Sequence, residues 1–265
     1  MRNDRFPEGL GSAVARIRSA EGTPVGSGFL LAPGTVVTCA HAVAQALDTD
    51  ARAGSAPTSP VRGEFPLQRG SVAYEASVSA WRPVAADGTG DIALLRLPED
   101  TPDTLTTPLP PAGAGDVWDH RFRILAFPAT AEHGAWIGGR LPGAVGQGWI
   151  SMEAEGTAHH ISPGCSGALV WDEDLAAVAG MTVATDRCGT AGVGTRLVPV
   201  RDWLKDSRTS GSGRNASVRP WTTGRTRGRR PARSCAARCR RHPWSSWPTR
   251  DTARTSASPS ARMSL

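Results

Sequence analysis

The sequence of 265 residues contains little lysine, little cysteine, few aromatic residues and no long apolar run. Lysine occurs once, at Lys205, so arginine supplies 29 of the 30 basic residues. Aromatic residues account for 6% of the chain, yet hydrophobic residues together account for 39%, which is enough to bury a core. This composition excludes a collagen-like chain and a wholly disordered one.

The scarcity of cysteine and of apolar runs bears on the location of the protein. Five cysteines lie at 39, 165, 188, 235 and 239, an odd and widely spaced set that is unlike a disulfide framework. Residues 1–19 lack the apolar segment of about 7 to 15 residues that a secretory signal peptide requires. No stretch reaches the roughly 18 apolar residues of a membrane span. The sequence therefore predicts a cytoplasmic location and no membrane partner.

Acidic residues are almost absent from one end of the chain. Residues 207–265 contain 14 of the 30 Lys and Arg residues but one of the 24 Asp and Glu residues, so they have a net charge of +13, and residues 1–206 have −7. Val218 and Leu265 are the only Val, Ile or Leu residues of this tail. Such a composition cannot bury enough apolar surface to offset the entropy of ordering, and we predict a disordered tail.

Two interpretations of the Arg-rich tail stay open. A segment with a charge of +13 attracts phosphates and would bind nucleic acid with a strong salt dependence. The string of Arg, Pro, Ser, Ala and Thr is also typical of a shifted reading frame in a GC-rich gene. Because the tail has no repeated motif, we do not expect a nucleic-acid partner.

Cys235, Cys239 and His242 lack a fourth zinc ligand, so we expect no metal site.

The rest of the chain has the pattern of short strands separated by Gly, Pro and Asp. Apolar residues alternate with polar ones in several segments, and helical periodicity is scarce. We predict an all-β domain at 12–206 after a lead-in at 1–11, with surface loops at 49–69 and 99–119, the second crossing between two halves of the domain. Short helices are predicted at 41–47 and 200–205, and strands at 13–18, 25–31, 35–38, 71–80, 92–97, 122–127, 135–139, 148–154, 168–171, 176–184 and 192–198.

Three short motifs in this domain have complementary chemistry. The segment TCAH ends a predicted strand with His41, GTGD places Asp91 directly before an apolar strand, and PGCSG places Ser166 in a turn of small residues. A serine hydroxyl needs an adjacent imidazole to accept its proton, which makes His41 the candidate base. A buried carboxylate must orient that imidazole and stabilise the imidazolium, a role that suits Asp91. The backbone N–H groups of Gly164 and Ser166 would stabilise an oxyanion, because a glycine permits the tight turn this requires.

Other roles for these residues stay open. A histidine at the end of a strand and a serine in a turn are often structural. Cys39 and Cys165 could be reactive thiols, but free cysteines more often behave as small buried hydrophobes. Rival carboxylates are Asp48, Asp50 and Asp87.

The order His41, Asp91, Ser166 resembles that of the chymotrypsin-like (trypsin-fold) serine peptidase family, especially its bacterial trypsin-like peptidase domains. Subtilisin and the α/β-hydrolases have different orders. The resemblance covers about residues 12–206 and includes GSGFLL before the histidine motif. It implies a two-barrel fold closed by a short C-terminal helix, with these three residues as a catalytic triad.

The resemblance also implies a substrate pocket. Val183, Ala184 and Thr185 would line it, and His160 takes the position where trypsin has an aspartate, so a strong preference for Arg or Lys is not implied. His159 and His160 could equally lie in a surface loop. Cys165 replaces the aspartate that usually precedes the nucleophile, so activation by a freshly cut N-terminus is not implied.

The sequence therefore predicts a serine endopeptidase that cleaves peptides or proteins through an acyl-enzyme intermediate and needs no cofactor. The alternative is a degenerate protease fold that serves as a binding or sensing module. The presence of all three triad residues favours the enzyme.

Overall fold

Two closed antiparallel barrels make up the described part of the computed structural model, which covers residues 9–68, 70–101, 109–110, 112, 117–128, 131–145, 149–156, 160–185 and 195–198. The strands of barrel one are β1 (Val14–Arg18), β2 (Pro24–Ala32), β3 (Thr35–Thr38), β4 (Val61–Phe65), β5 (Val72–Val84) and β6 (Gly90–Arg96). Their spatial order is β1-β2-β3-β6-β5-β4. A short 3₁₀ turn (Gly11–Ala13) precedes β1, and one helix, α1 (Ala40–Leu47), follows β3.

Barrel two repeats this architecture with strands from the second half of the chain. Its strands are β7 (His120–Ala126), β8 (Ala135–Val145), β9 (Trp149–Glu155), β10 (Leu169–Asp172), β11 (Ala177–Thr185) and β12 (Thr195–Val198). Their spatial order is β10-β11-β12-β9-β8-β7, and pairing between β7 and β10 closes the barrel. Barrel closure leaves no unpaired sheet edge.

The barrels confirm the predicted all-β, two-barrel fold. The segment between β6 and β7 connects one barrel to the other, as predicted for the loop at 99–119. The predicted helix at 200–205, the residues 192–194 of the last predicted strand and the tail at 207–265 lie outside the described residues. Among the described residues, no helix has both the length and the apolar character needed to cross a membrane.

One strand contradicts the sequence prediction. Strand β4 lies inside the segment 49–69, which we expected to be a loop because of its small and polar residues. The strand forms because Val61 and Phe65 point into the core, and because Gly63 leaves room for the ring of Tyr74 on the neighbouring strand. A Cβ at Gly63 would lie 2.3 Å from the Tyr74 hydroxyl, so a larger residue there would force the Tyr74 ring to move.

Strand β5 shows how the sequence pattern positions the core. Its residues alternate as predicted, with Tyr74 and Ala76 buried and Ala73, Glu75 and Ser77 exposed. The apolar faces of barrel one form a cluster that continues onto barrel two through Leu125, Phe127, Leu169 and Met181. A second cluster fills barrel two itself, around Phe122, Ile124, Leu141 and Met152. The continuous first cluster fixes the seam between the barrels, where the predicted site residues lie.

Arg16 also links the two barrels across this seam. Its side chain is nearly buried and forms an ion pair with Glu64 of barrel one. The guanidinium lies 5.2 Å from the ring centroid of Phe127 and donates a hydrogen bond of 2.5 Å to the carbonyl of Glu132, both from the second half of the chain. A buried charge that is paired and hydrogen-bonded in this way favours one relative placement of the two barrels.

Candidate active site

The structure brings His41 and Asp91 together at the seam between the barrels. His41 Nδ1 and Asp91 Oδ2 are 2.6 Å apart, and the backbone N–H of His41 donates to Asp91 Oδ1 at 2.9 Å. Asp91 is 3% exposed, whereas the His41 side chain is 16% exposed. The carboxylate therefore holds one ring nitrogen from within the protein, and the imidazole reaches the surface.

Asp91 occupies an unusual backbone conformation at the start of β6. Its φ is 60°, and the preceding Gly90 has a φ of 83°. A Cβ at Gly90 would lie 2.2 Å from the carbonyl oxygen of Pro83, so only glycine fits. Aspartate tolerates this left-handed region better than most residues. The GTGD motif thus has a physical reason: it turns the chain so that the Asp91 carboxylate faces α1.

The Asp91 carboxylate also caps α1. The N-cap residue of this helix, Cys39, makes no side-chain capping hydrogen bond. Asp91 instead accepts the N–H of His41 in the first helical turn, where backbone N–H groups otherwise lack partners. One carboxylate therefore fixes both the backbone and the ring of His41.

Two opposing effects determine the proton affinity of His41. Burial lowers the pKa of His41, but the charge of Asp91 and its hydrogen bond outweigh burial and raise the pKa above that of a free imidazole. An imidazole that gains proton affinity from a carboxylate is better suited to accept a proton from a nearby hydroxyl.

Ser166 lies half-buried in a turn that precedes β10. The turn contains two glycines with positive φ, Gly164 at 97° and Gly167 at 84°. A Cβ at Gly164 would lie 2.3 Å from the carbonyl oxygen of Phe127, and one at Gly167 would lie 2.0 Å from that of Ser27. Both conformation and space therefore require the two glycines of the PGCSG motif.

The turn leaves two backbone donors for a ligand. Among the described residues, the N–H groups of Gly164 and Ser166 donate to no acceptor, whereas those of Cys165 and Gly167 donate to the carbonyls of Ser162 and Thr182. Unused N–H groups at alternate positions are what the sequence predicts for an oxyanion site.

Two contacts place the Ser166 turn against the segment that contains His41. A Cβ at Gly26 would lie 2.7 Å from Ala42 Cβ and 3.2 Å from the Ser166 carbonyl oxygen, so both residues flank Gly26. The Thr182 carbonyl accepts hydrogen bonds from Cys39 Sγ at 3.3 Å and from the N–H of Gly167 at 2.8 Å. The motifs that contain His41, Asp91 and Ser166 thus meet at one place, although they are far apart in sequence.

The two cysteines beside the site are free and buried. Burial raises the pKa of Cys39 well above its ordinary value, and the Asp91 charge adds to this. Burial also raises the pKa of Cys165. Thiols that resist ionisation are weak nucleophiles and weak metal ligands, which favours the space-filling role for both residues.

Within the described part of the chain, two groups of side chains have ligand atoms close enough to hold a metal ion. Cys39, His41 and Asp91 form one group, but the raised pKa of the thiol and the use of both carboxylate oxygens by His41 disfavour a metal there. The other group consists of His120, Asp172 and Asp174. Its buried carboxylate already binds the His120 ring and the N–H groups of Asp174 and Leu175.

The predicted pocket residues are described in part. His160 is exposed and Val183 is 3% exposed within the core cluster, while the side chains of Ala184 and Thr185 lie outside the described ones. The substrate-binding role of these four residues stays a prediction.

Sequence reasoning missed two hydroxyl residues at the site, Ser27 and Thr38. Both are fully buried, and Thr38 Oγ1 donates to the Ser27 carbonyl at 2.6 Å. Ser27 Oγ in turn donates to the Gly164 carbonyl at 2.9 Å. The signal that was available is a serine between two glycines in an otherwise apolar strand.

Solved structures with this fold include three that illustrate its range. Rv3671c from M. tuberculosis H37Rv, solved as a serine-to-alanine mutant in its inactive form, matches with a TM-score of 0.56 and 20% identity over 80% of this chain and 94% of that one. The MamO protease domain from Magnetospirillum magneticum has a TM-score of 0.53 and 16% identity, and the match covers 74% of this chain and 96% of that one. Neuropsin, a serine protease of mouse brain, has a TM-score of 0.54 and 14% identity, and the match covers 77% of this chain and 97% of that one. At these identities the likeness shows the fold.

Comparison of the sequence with curated proteins found no match. A family model, described as the trypsin-like peptidase domain, matches residues 26–181. This match includes His41, Asp91, Ser166 and both glycines of the Ser166 turn, and it spans more than half of the 265 residues. The chain therefore belongs to the trypsin-like peptidase domain family.

Proposed function

We propose that the chain is a serine endopeptidase that hydrolyses peptide bonds with His41 as base, Asp91 as its orienting carboxylate and Ser166 as nucleophile. The observation that carries this proposal is the buried Asp91 carboxylate, which binds His41 at both the ring and the backbone. The carboxylate thus holds Nδ1 and not Nε2, and the Ser166 turn is close by, because Gly26 lies against both the Ser166 carbonyl and Ala42 of α1.

The first half of the reaction forms an ester. His41 accepts the proton of the Ser166 hydroxyl while the serine oxygen bonds to the scissile carbonyl carbon. The oxyanion that results is bound by the N–H groups of Gly164 and Ser166. The carbon–nitrogen bond then breaks, the imidazolium of His41 gives its proton to the leaving amine, and an acyl group remains on Ser166.

The second half repeats these roles with water. His41 removes a proton from a water molecule, whose oxygen attacks the ester carbon. The same N–H groups bind the second oxyanion, and the proton returns to the Ser166 oxygen as the carboxylate product leaves. Throughout, Asp91 stays ionised and holds the ring in one tautomer.

A fluorophosphonate probe tests the proposal without knowledge of the substrate. Labelling forms a bond from Ser166 oxygen to phosphorus, expels fluoride and transfers the serine proton to His41. We expect the parent chain to be labelled and Ser166→Ala not to be. Ser79→Ala serves as a control, because it removes a serine hydroxyl whose hydrogen bond is to the Leu94 carbonyl within barrel one. Equal labelling of parent and Ser166→Ala contradicts the assignment. A folded parent chain that resists the probe supports a protease-fold binding module instead.

A further inference from the structure

We propose that Ser27, on β2 of barrel one, is a positioning residue that holds the oxyanion-binding turn of barrel two in its working conformation. This role rests on the proposed function of Ser166. Ser27 is fully buried, and its hydroxyl lies between two backbone groups of the second half of the chain. It donates to the Gly164 carbonyl at 2.9 Å and accepts from the N–H of Phe127 at 3.4 Å.

The backbone of Ser27 holds the same turn at a second point. Its N–H donates to the Ser166 carbonyl at 2.7 Å, while its own carbonyl accepts from Thr38 Oγ1. Side chain and backbone of one residue therefore bind the carbonyls at positions 164 and 166. Among the described residues, Ser27 is the one side chain outside the turn that donates a hydrogen bond to a backbone carbonyl of 164–167.

These hydrogen bonds fix alternate peptide groups of the turn. The peptide between 164 and 165 is held at its carbonyl by Ser27 Oγ and at its N–H by Ser162. The peptide between 166 and 167 is held at its carbonyl by the Ser27 N–H and at its N–H by Thr182. The two unused donors lie on neighbouring peptides: the Gly164 N–H comes before the first held peptide, and the Ser166 N–H lies between the two. The peptide that carries the Ser166 N–H is also held at its carbonyl, by the N–H of Ala168 at 3.0 Å. The Ser27 hydrogen bonds therefore contribute to the direction in which both donors point.

Glycine makes this tether necessary. Gly164 has a φ of 97° and could populate other conformations at little steric cost within its own residue. Any rotation that turns its peptide away from Ser27 would leave the buried Ser27 hydroxyl without an acceptor and the buried Gly164 carbonyl without that donor. Among the described residues, the neighbouring Cys165 Sγ has one hydrogen bond, which it accepts from the Ser162 N–H at 3.5 Å. The hydroxyl of Ser27 thus supplies the restraint that glycine lacks.

The test compares the rate of fluorophosphonate labelling in the parent chain and in Ser27→Ala over a range of pH. Removing one oxyanion donor from a protease costs about 10²–10³ in rate, and a loosened pair of donors should cost less. We expect Ser27→Ala to react roughly ten- to a hundredfold more slowly. The pH midpoint of the reaction should not change, because His41 and Asp91 keep their contacts. A variant that merely loosened the barrels would shift that midpoint.

Ser79→Ala is the matched control. It removes another serine hydroxyl that donates to a backbone carbonyl, that of Leu94 at 3.2 Å, within barrel one alone. It should react at the parent rate. Ser27→Cys keeps the size of the side chain but has a weaker donor, so we expect an intermediate rate. If Ser27→Ala does not unfold cooperatively on heating, Ser27→Cys replaces it in the comparison.

The outcomes separate the two proposals. A parent chain that is not labelled overturns the proposed function, and the role of Ser27 with it. A parent chain that is labelled at the same rate as folded Ser27→Ala overturns the role of Ser27 alone. A slower Ser27 variant whose pH midpoint also moves assigns Ser27 to general packing and likewise overturns its role at the turn.

Discussion

Among the described residues, each barrel contains a pair formed by a histidine and a buried aspartate. His41 and Asp91 are 2.6 Å apart in barrel one, and His120 and Asp172 are 2.8 Å apart in barrel two. In both pairs Nδ1 meets one carboxylate oxygen, and the other oxygen accepts backbone N–H groups. Their local hydrogen bonding is thus nearly the same, although only one pair lies beside a serine turn.

The two pairs differ in which backbone groups the carboxylate binds and in whether the Ser166 turn lies beside the pair. Asp91 caps the helix of its own histidine next to the Ser166 turn. Asp172 instead closes the turn that follows β10, at the end of the strand away from Ser166. Strands rise about 3.3 Å per residue, so Asp172 lies roughly 10 Å beyond Leu169. By itself, a hydrogen-bonded His–Asp pair is therefore a structural interaction. It can take part in catalysis only where a nucleophile and unused N–H donors lie beside it.

Removing each histidine gives the largest expected contrast between the pairs. In a well-studied protease, loss of the catalytic histidine lowers kcat by about 10⁶. We expect His41→Ala to lower the hydrolysis of p-nitrophenyl acetate toward the uncatalysed rate, and His120→Ala to leave it unchanged. His120→Ala should instead lower the free energy of unfolding by about 1–3 kcal/mol, because Asp172 loses a buried partner. Activity loss of similar size in both folded variants would remove the distinction.

Neutralising each aspartate should give a smaller contrast. Asp91→Asn retains the shape of the side chain but cannot hold the correct tautomer of His41 or stabilise the imidazolium, so we expect kcat to fall by about 10⁴. Asp172→Asn should keep the parent kcat and lower the melting temperature. The same ester assay and a thermal melt measure both effects. An Asp91→Asn variant with the activity of the parent chain would contradict the assignment of Asp91 as the orienting carboxylate.

The smallest expected effect is a shift in pH dependence. His41 must be neutral to act as a base, and Asp91 raises its pKa, so activity should rise with pH around a midpoint above that of a free imidazole. Asp91→Asn should move this midpoint to lower pH, whereas Asp172→Asn should not move it. The pair also stabilises the fold below the pKa of an unpaired histidine, and this contribution is lost as pH rises through the raised pKa of His41. Rates and melting temperatures measured over pH test both statements.

The sequence sufficed for those parts of the site that depend on local geometry. Asp91 and Ser166 each lie in a motif whose glycines the backbone requires, so their surroundings were visible in a few adjacent residues. The helix that contains His41 begins at Ala40, one residue before its predicted start. The strands of both barrels followed from alternation and punctuation, apart from β4, which depends on the fit of Gly63 against Tyr74.

The role of Ser27 could not be predicted in this way. Its hydroxyl and the Gly164 carbonyl are 137 residues apart, and they meet only because the two barrels pack against each other. Strand β8 likewise continues past its predicted end at 139, through Pro142 to Val145, because a shift in register accommodates the proline. Long-range pairing of this kind has no local signal. The cytoplasmic location, the domain boundaries and the disordered tail stay predictions.

The buried thiols of Cys39 and Cys165 can report local opening of the two barrels. Cys39 lies two residues before His41 in barrel one, and Cys165 lies one residue before Ser166 in barrel two. An alkylating reagent reaches either sulfur only when the surrounding structure opens locally. Alkylation of each cysteine, mapped by mass spectrometry, therefore measures how often each barrel opens locally, one beside His41 and the other beside Ser166.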